Sequence, residues 1–276
     1  MKGLNLSKIH SLSKSPALFL QASSKQYSTQ TSKLGVLHGK KTIITGASRG
    51  IGLSIAERFA AEGSSLVLVA RNTTSLNKLL SSLPSGPTQG HEIVAGDVGS
   101  EDFWTSNFRG RKDVDILVNA AGVTFVSPFL RMGGEKMEAV LRTNLMGTMF
   151  GCGAVGRGML GRRDGCIVNV ASLLGMKGGR GSAAYVASKA GVIGFTRALA
   201  AELGEKGTRV NVIVPGYIET DMTAAMTPEA RSDALDAIPL KRFGEASDIA
   251  DAAVFLATNK YANNCVLNLD GGLSAV

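Results

Sequence analysis

The chain reads as one α/β domain on a doubly wound, parallel, seven-stranded sheet with helices on both faces. Three observations predict it. Short apolar runs alternate with helical stretches from about residue 40 to the end, and no internal linker interrupts them. The run Thr42-Ile-Ile44 passes straight into Thr45-Gly-Ala-Ser-Arg-Gly-Ile-Gly52 and then into Leu53-Ser-Ile-Ala-Glu-Arg-Phe-Ala60, the order strand, glycine turn, helix. Two later apolar runs also end in small or turn-forming residues, Asp115-Ile-Leu-Val-Asn-Ala-Ala-Gly122 and Val210-Asn-Val-Ile-Val214 before Pro215-Gly216.

Taken in order, Lys41–Ile44 is the expected first strand and Leu53–Glu62 the first helix. Leu66–Val69 follows as the second strand. Ser81–Gly90, with Pro84, Gly86 and Pro87, is a surface loop. His91–Ala95, Asp115–Asn119, Gly165–Ala171, Arg209–Val214 and Cys265–Leu269 complete the sheet. Glu219–Arg242 is polar and broken by Pro228 and Pro239, which suits a mobile helical flap. One helix carries Gly147, Gly151, Gly153, Gly156, Gly158 and Gly161, at a cost of about 1 kcal/mol each relative to alanine. Close helix approach at a subunit contact would account for them.

Three side chains carry the chemistry. Tyr185 and Lys189 are four residues apart in a segment of helical periodicity, so phenol and ammonium lie one above the other on one face. A free phenol titrates near pH ~10; a fixed cation beside it favours the phenolate and brings it toward the working range. Ser172 ends the buried run Cys166–Ala171 and could hold a substrate carbonyl against the phenol. A Tyr-x-x-x-Lys pair alone arises by chance in many chains, and here the glycine turn supports it. Gly46, Gly50 and Gly52 let the backbone approach a ligand, and the helix that follows offers free N–H groups and its positive dipole end to a pyrophosphate. Asn119-Ala-Ala-Gly122 suits a flat adenosine.

In family order and spacing from about Lys40 to the end, these motifs resemble those of the short-chain dehydrogenase/reductases. Thr45–Gly52, with Ser48, Arg49 and Ile51 inside it, resembles the family's TGxxxGxG cofactor turn. Asn119-Ala120-Ala121-Gly122 resembles its NNAG motif, with Ala120 replacing the second Asn. The resemblance implies a Rossmann-type fold and a catalytic tetrad of Asn144, Ser172, Tyr185 and Lys189. It implies that Asp97 and Val98 neighbour adenine, and that Pro215, Gly216, Ile218 and Thr220 hold the nicotinamide carboxamide. It also implies that Lys189 grips the nicotinamide ribose and that Asn144 anchors a water feeding protons to Lys189. Ala70 stands where an acid would hold a ribose 2′-hydroxyl, and Arg71 and Arg49 supply cationic forks for a 2′-phosphate, so the expected cofactor is NADPH (NADP+).

Several strings, among them Leu130-Arg-Met132 and Gly216-Tyr-Ile-Glu-Thr-Asp-Met222, are similar to those of 3-oxoacyl-(acyl-carrier-protein) reductases. That similarity implies reduction of a 3-oxoacyl thioester on an acyl carrier protein, with Arg163 and Lys206 as docking cations around the active-site mouth, and a homo-oligomer, a tetramer, paired through the glycine-rich helix; Arg131, at the rim after the fourth strand, is a further docking candidate. A carbonyl reductase for quinones or small ketones is the alternative enzyme, and a nucleotide-binding partner subunit without turnover the alternative of another class.

Composition narrows the rest. At 276 residues the chain can bury roughly 75% of its unfolded surface without disulfide or metal. Cys152, Cys166 and Cys265 lack paired spacing, which suits core thiols in a reducing compartment. His10, His38 and His91 form no cluster, so no metal site is expected. The net charge of +8 is spread without a basic-aromatic stripe, which argues against nucleic acid. No apolar run escapes charged or polar interruption long enough to span a membrane. Residues 1–33 form a separate segment with five lysines, ten serines and threonines and no acid, ahead of a reductase domain over 34–276. Such a segment reads as an organelle presequence cleaved near Tyr27 or Ser28, for the mitochondrial matrix, with a plastid as the rival destination.

Overall fold

The computed structural model describes residues 34–276, and the presequence reading falls outside them. Seven strands form one parallel sheet: β1 Lys41–Thr45, β2 Ser65–Ala70, β3 Glu92–Ala95, β4 Ile116–Asn119, β5 Gly165–Val170, β6 Thr208–Pro215 and β7 Val266–Leu269. Their spatial order is β3-β2-β1-β4-β5-β6-β7, with the direction of winding reversing between β1 and β4. That reversal opens a crevice beyond the carboxyl ends of the strands, where ligands of such sheets bind.

The ten α-helices of the described residues are α1 Gly50–Ala61, α2 Thr73–Ser82, α3 Glu101–Phe108, α4 Gly134–Leu141, α5 Gly147–Arg162, α6 Leu174–Lys177, α7 Ala183–Gly204, α8 Asp221–Ala224, α9 Pro228–Ala237 and α10 Ala246–Thr258. The sheet is covered on both faces, so its strands are near-continuously apolar. Successive residues face opposite helix layers. Ile44, Leu66, Leu68, Val118 and Val168 pack with Ile55 and Phe59 of α1 and Ile249 and Ala253 of α10. Ile43, Val67, Val69, Leu117 and Ile167 pack with Trp104 and Phe108 of α3 and Val155 and Met159 of α5. The 219–242 segment is helical as expected, with Pro228 at the first turn of α9 and Pro239 just beyond its end.

The glycines of α5 divide into two groups. A Cβ on Gly147 would lie 2.9 Å from the Val98 carbonyl, one on Gly151 2.9 Å from the Trp104 ring, and one on Gly158 2.4 Å from the Arg111 carbonyl. Packing within the chain therefore requires these three. Gly153, Gly156 and Gly161 meet nothing within 4 Å, but Gly156 is buried, so only the exposed Gly153 and Gly161 are left for the subunit contact expected from sequence. Gly158→Ala is predicted to lower Tm markedly. Gly153→Ala should raise the stability of the chain by up to about 1 kcal/mol, and it should weaken self-association if that face meets a second copy. Thermal melts and sedimentation of the two variants separate these effects.

Candidate active site

Thr45 closes β1 onto β4. Its hydroxyl accepts the N–H groups of Ala120 and Ala121, each at 3.1 Å, and draws the small residues after β4 beside the glycine turn. The turn tolerates no bulk. A Cβ on Gly46, at φ +69°, would sit 2.8 Å from Ala121 Cα, and one on Gly52 2.3 Å from the Gly46 carbonyl. A Cβ on Gly50, at φ +53°, would sit 3.3 Å from the Thr220 methyl, so the segment after β6 reaches across to the same turn. Helix α1 begins there with no acidic side chain in its first turn and no side-chain cap on Arg49. Its leading N–H groups and positive dipole end suit a pyrophosphate.

Arg71 is exposed directly after β2, whose last residue is the buried Ala70. Arg49 reaches Asp221 at 3.8 Å with both side chains largely exposed, so Arg49 is free to turn to another anion at little cost. Asp97 accepts the Gly99 N–H at 2.9 Å, and the buried Val98 gives its carbonyl to the Trp104 indole at 2.8 Å. Gly216 lies against Asp270, while Ile218 is buried and Thr220 caps α8 with Thr223.

Asn119 is engaged away from the crevice by its side chain. Its side chain is turned into the helix layer, donating to Asn169 Oδ1 at 2.9 Å and Cys152 Sγ at 3.5 Å. Asn169 in turn donates to Thr196 on α7 at 2.9 Å. This buried chain ties β4 and β5 to α7, and Asn119 can offer a cofactor only its main chain.

The four tetrad residues converge at the carboxyl end of β5. Ser172 follows the strand, and its hydroxyl bonds the Tyr185 phenol and accepts the Leu174 N–H at 3.2 Å. Lys189, only 5% exposed, donates to the Val170 carbonyl at 2.8 Å. Its ammonium lies 5.7 Å from the centre of the Tyr185 ring. Asn144, 1% exposed, sits in a π-helical turn over Arg142–Met146, where the Gly147 N–H reaches back to the Arg142 carbonyl. Its amide grips the Val123 main chain on both sides, accepting from N–H at 2.8 Å and donating to C=O at 2.9 Å. The Asn144 carbonyl accepts the Thr148 hydroxyl at 2.9 Å. A Cβ on Gly122 would stand 3.5 Å from both Asn144 Oδ1 and Lys189 Nζ, so both lie near that point.

The electrostatics depart from the expectation of a lowered phenol. Burial raises the Tyr185 phenol above its usual value, with the Ser172 hydrogen bond pulling partly the other way. Burial pushes Lys189 down to about 8. The phenol is thus held as a proton donor. Sequence reading missed Ser188 and Val123, both of which hold Asn144; a serine one residue before Lys189 was the available signal.

The expected ring of docking cations is only partly present. Arg131 is exposed in the loop after β4, at the catalytic edge. Arg163 and Lys206 directly precede β5 and β6, so they lie at the amino edge of the sheet, away from the tetrad. There the loops touch, a Cβ on Gly207 being 2.3 Å from the Arg163 carbonyl. A concavity of about 640 Å³, lined by Lys40, Asp115, Arg163, Arg209 and Tyr261 among others, is at that same edge and holds none of the tetrad. Among the described residues no group of three or more His, Cys, Asp or Glu is placed to hold a metal ion. No helix there is long and apolar enough to cross a membrane. Burial pushes the Cys152 and Cys166 thiols up to about 12 and about 11.

Comparisons with known proteins agree with this geometry. A family model described as Enoyl-(Acyl carrier protein) reductase matches residues 46–274. The 3-oxoacyl-(acyl-carrier-protein) reductase FabG of Chlamydia trachomatis is 37% identical over 246 residues, 87% of this chain and 99% of that one. Carbonyl reductase family member 4 of Danio rerio is 42% identical over 236 residues, 84% of this chain and 96% of that one. An Agrobacterium tumefaciens protein assigned as 2-deoxy-d-gluconate 3-dehydrogenase, solved with NADP bound, superposes with a TM-score of 0.79 at 36% identity, covering 87% of this chain and 98% of that one. With the glycine turn, the parallel sheet and the Ser-Tyr-Lys constellation all in place, the chain belongs to the short-chain dehydrogenase/reductase family of oxidoreductases.

Proposed function

We propose that the protein is an NADPH-dependent ketoreductase acting on a 3-oxoacyl thioester carried by an acyl carrier protein. The observation that carries this reading is the Tyr185 phenol, held protonated by burial, bonded to Ser172 and stacked over the Lys189 ammonium. The names of several relatives near 40% identity support the substrate class. The bare turn at Gly46, Gly50 and Gly52 fits a dinucleotide pyrophosphate. Arg49 and Arg71 are the residues that would hold a 2′-phosphate. When bound, the reduced nicotinamide supplies the hydride.

The side chains do the remainder. Ser172 donates to the substrate carbonyl oxygen and steadies the charge that develops there. Tyr185 delivers its proton to that oxygen. Lys189 stabilises the phenolate left behind and, as the family resemblance implies, grips the nicotinamide ribose. A positioned acid of this kind contributes about 10²–10⁴ in rate. Carbonyl reduction of small ketones is the second reading, favoured by the name of the Danio rerio relative. Purified protein supplied with NADPH and acetoacetyl-carrier, a short enoyl-carrier and a quinone tests the reading directly. Faster oxidation with the quinone would select the second, and turnover of only the enoyl substrate would overturn both.

Arg131 is the docking cation this reading retains at the mouth. Arg163 and Lys206 could act only on a carrier engaged with a neighbouring subunit of a tetramer. The basic, acid-free segment 1–33 supports import into the mitochondrial matrix with removal of about 27 residues. N-terminal sequencing of the native protein is expected to begin near Ser28, and an intact Met1 would refute it.

Three kinetic outcomes are expected. Tyr185→Phe lowers kcat at least about 10²-fold with NADPH affinity nearly intact, because it removes a proton donor alone. NADPH outperforms NADH in kcat/KM, and Arg71→Asp erodes the preference; equal efficiency in the wild type would refute the phosphate assignment. The third concerns pH. With Lys189 at about 8 against an ordinary 10.5, raising pH through about 8 discharges the ammonium, and kcat/KM for reduction falls. Over the same window the unfolded chain holds the extra proton, so this group's contribution to stability rises with pH. A pH–rate profile beside a pH–melting series should therefore diverge above pH 8. A flat rate to pH 10 would detach the Lys189 charge from the reaction.

A further inference from the structure

Ser188 stands on α7 between two tetrad residues, Tyr185 and Lys189. It is fully buried. Its hydroxyl donates to the Tyr185 carbonyl at 2.7 Å, one turn back on α7, and accepts Asn144 Nδ2 at 3.1 Å. That second bond completes the use of Asn144. One of its amide protons goes to Val123 and the other to Ser188, while its oxygen takes the Val123 N–H. Asn144 therefore joins three separate elements: its own π-helical turn, the loop after β4, and helix α7. Ser188 supplies the bond to α7.

The geometry beside Gly122 shows what this bond controls. Asn144 Oδ1 and Lys189 Nζ both lie 3.5 Å from one point, where a Cβ on Gly122 would stand. Lys189 is carried by α7 and Asn144 by the turn at 142–146. Their separation is set by whatever holds the turn to the helix. The contacts that do so include the Ser188 hydroxyl, which sits next to Lys189 in the chain and shares its helix turn. A buried amide proton left without an acceptor is also costly, so loss of the hydroxyl drives Asn144 to rearrange.

We infer that Ser188 is a positioning residue, fixing Asn144 against helix α7 and thereby setting the spacing of Asn144 and Lys189 in the reaction. This rests on the ketoreductase reading for its kinetic consequences, but the linkage itself does not.

Ser188→Ala is expected to lower kcat about tenfold or more, leave KM for NADPH within twofold, and move the alkaline limb of the pH–rate profile. The decisive comparison is with Asn144→Ala. If Ser188 acts through Asn144, adding Ser188→Ala to Asn144→Ala costs less than a further twofold, whereas independent losses multiply. Multiplication of the two effects overturns the inference. Ser188→Thr and Ser188→Val impose the same added bulk and differ by one hydroxyl. Thr should recover most of the turnover that Val loses, and equal activity in the two also overturns it. A readout free of substrate is hydrogen exchange across Arg142–Met146, which Ser188→Ala should accelerate with global stability little changed. Unchanged exchange there refutes the linkage, while accelerated exchange in a protein that reduces no carbonyl would refute the ketoreductase reading alone.

Discussion

Because all seven strands run the same way, each delivers its carboxyl end to one edge of the sheet, and the site exists only by that directional constraint. Thr45, Asn119, Ser172 and Pro215 come from four strands far apart in sequence, yet the register sets them side by side: Thr45 opposite Asn119, Asn119 opposite Asn169, Val170 opposite Ile213. The loops that leave those strands then need few contacts of their own. The Thr45 hydroxyl joins the first two, and the Thr220 methyl over Gly50 brings the last across to the first. A parallel sheet buried on both faces is rigid enough for a site to be built almost entirely from strand ends and helix starts.

Burial works in two opposed ways at the tetrad. It raises the phenol and depresses the ammonium, and both shifts disfavour the charged forms. The single carbonyl of Val170 and the ring of Tyr185 are the partners offered to Lys189. An interior cation with so few partners is poised to respond to any negative charge that appears beside it. Proton delivery by Tyr185 creates such a charge, in a region where solvent does little to weaken the attraction.

The fold was legible from Ile43, Val67, Val118, Val168 and Val212 and their neighbours, since strands covered on both faces spell continuous apolar runs. The glycine turn was legible because only glycine permits the approach of Gly52 to the Gly46 carbonyl. Tyr185 and Lys189 were legible by helical spacing. Other parts were hidden for physical reasons. A π-helical turn at 142–146 leaves no pattern in composition, so Asn144 could be placed by resemblance but its partners could not. Asn119 closes a strand, and pleating alone decides whether its side chain meets the crevice or the helix layer. Arg163 and Lys206 were assigned to the mouth by resemblance, although strand direction already set residues just ahead of β5 and β6 at the other edge. The lowered phenol was inferred from charge alone, whereas desolvation dominates once the neighbours are packed around it.

The π-helical turn also has a bearing on how this scaffold tolerates editing. Each residue advances an α-helix by about 100°, and a π turn takes in one residue more than the regular winding needs. The turn between α4 and α5 therefore absorbs an added residue while keeping the two helices in phase. It lets α5 aim Gly147, Gly151 and Gly158 at α3 and the sheet, while α4 keeps Val140 facing Tyr185's neighbours, Met132 and Ala184. Deleting one residue between Arg142 and Met146 would produce a more regular helix and a more conventional sequence. It would leave α4 and α5 in phase but take away the wider winding in which Asn144 sits. The glycine face would survive, and the asparagine bracket to Val123 and Ser188 would not. Redesign toward ideal helical geometry would here remove the winding on which the site depends.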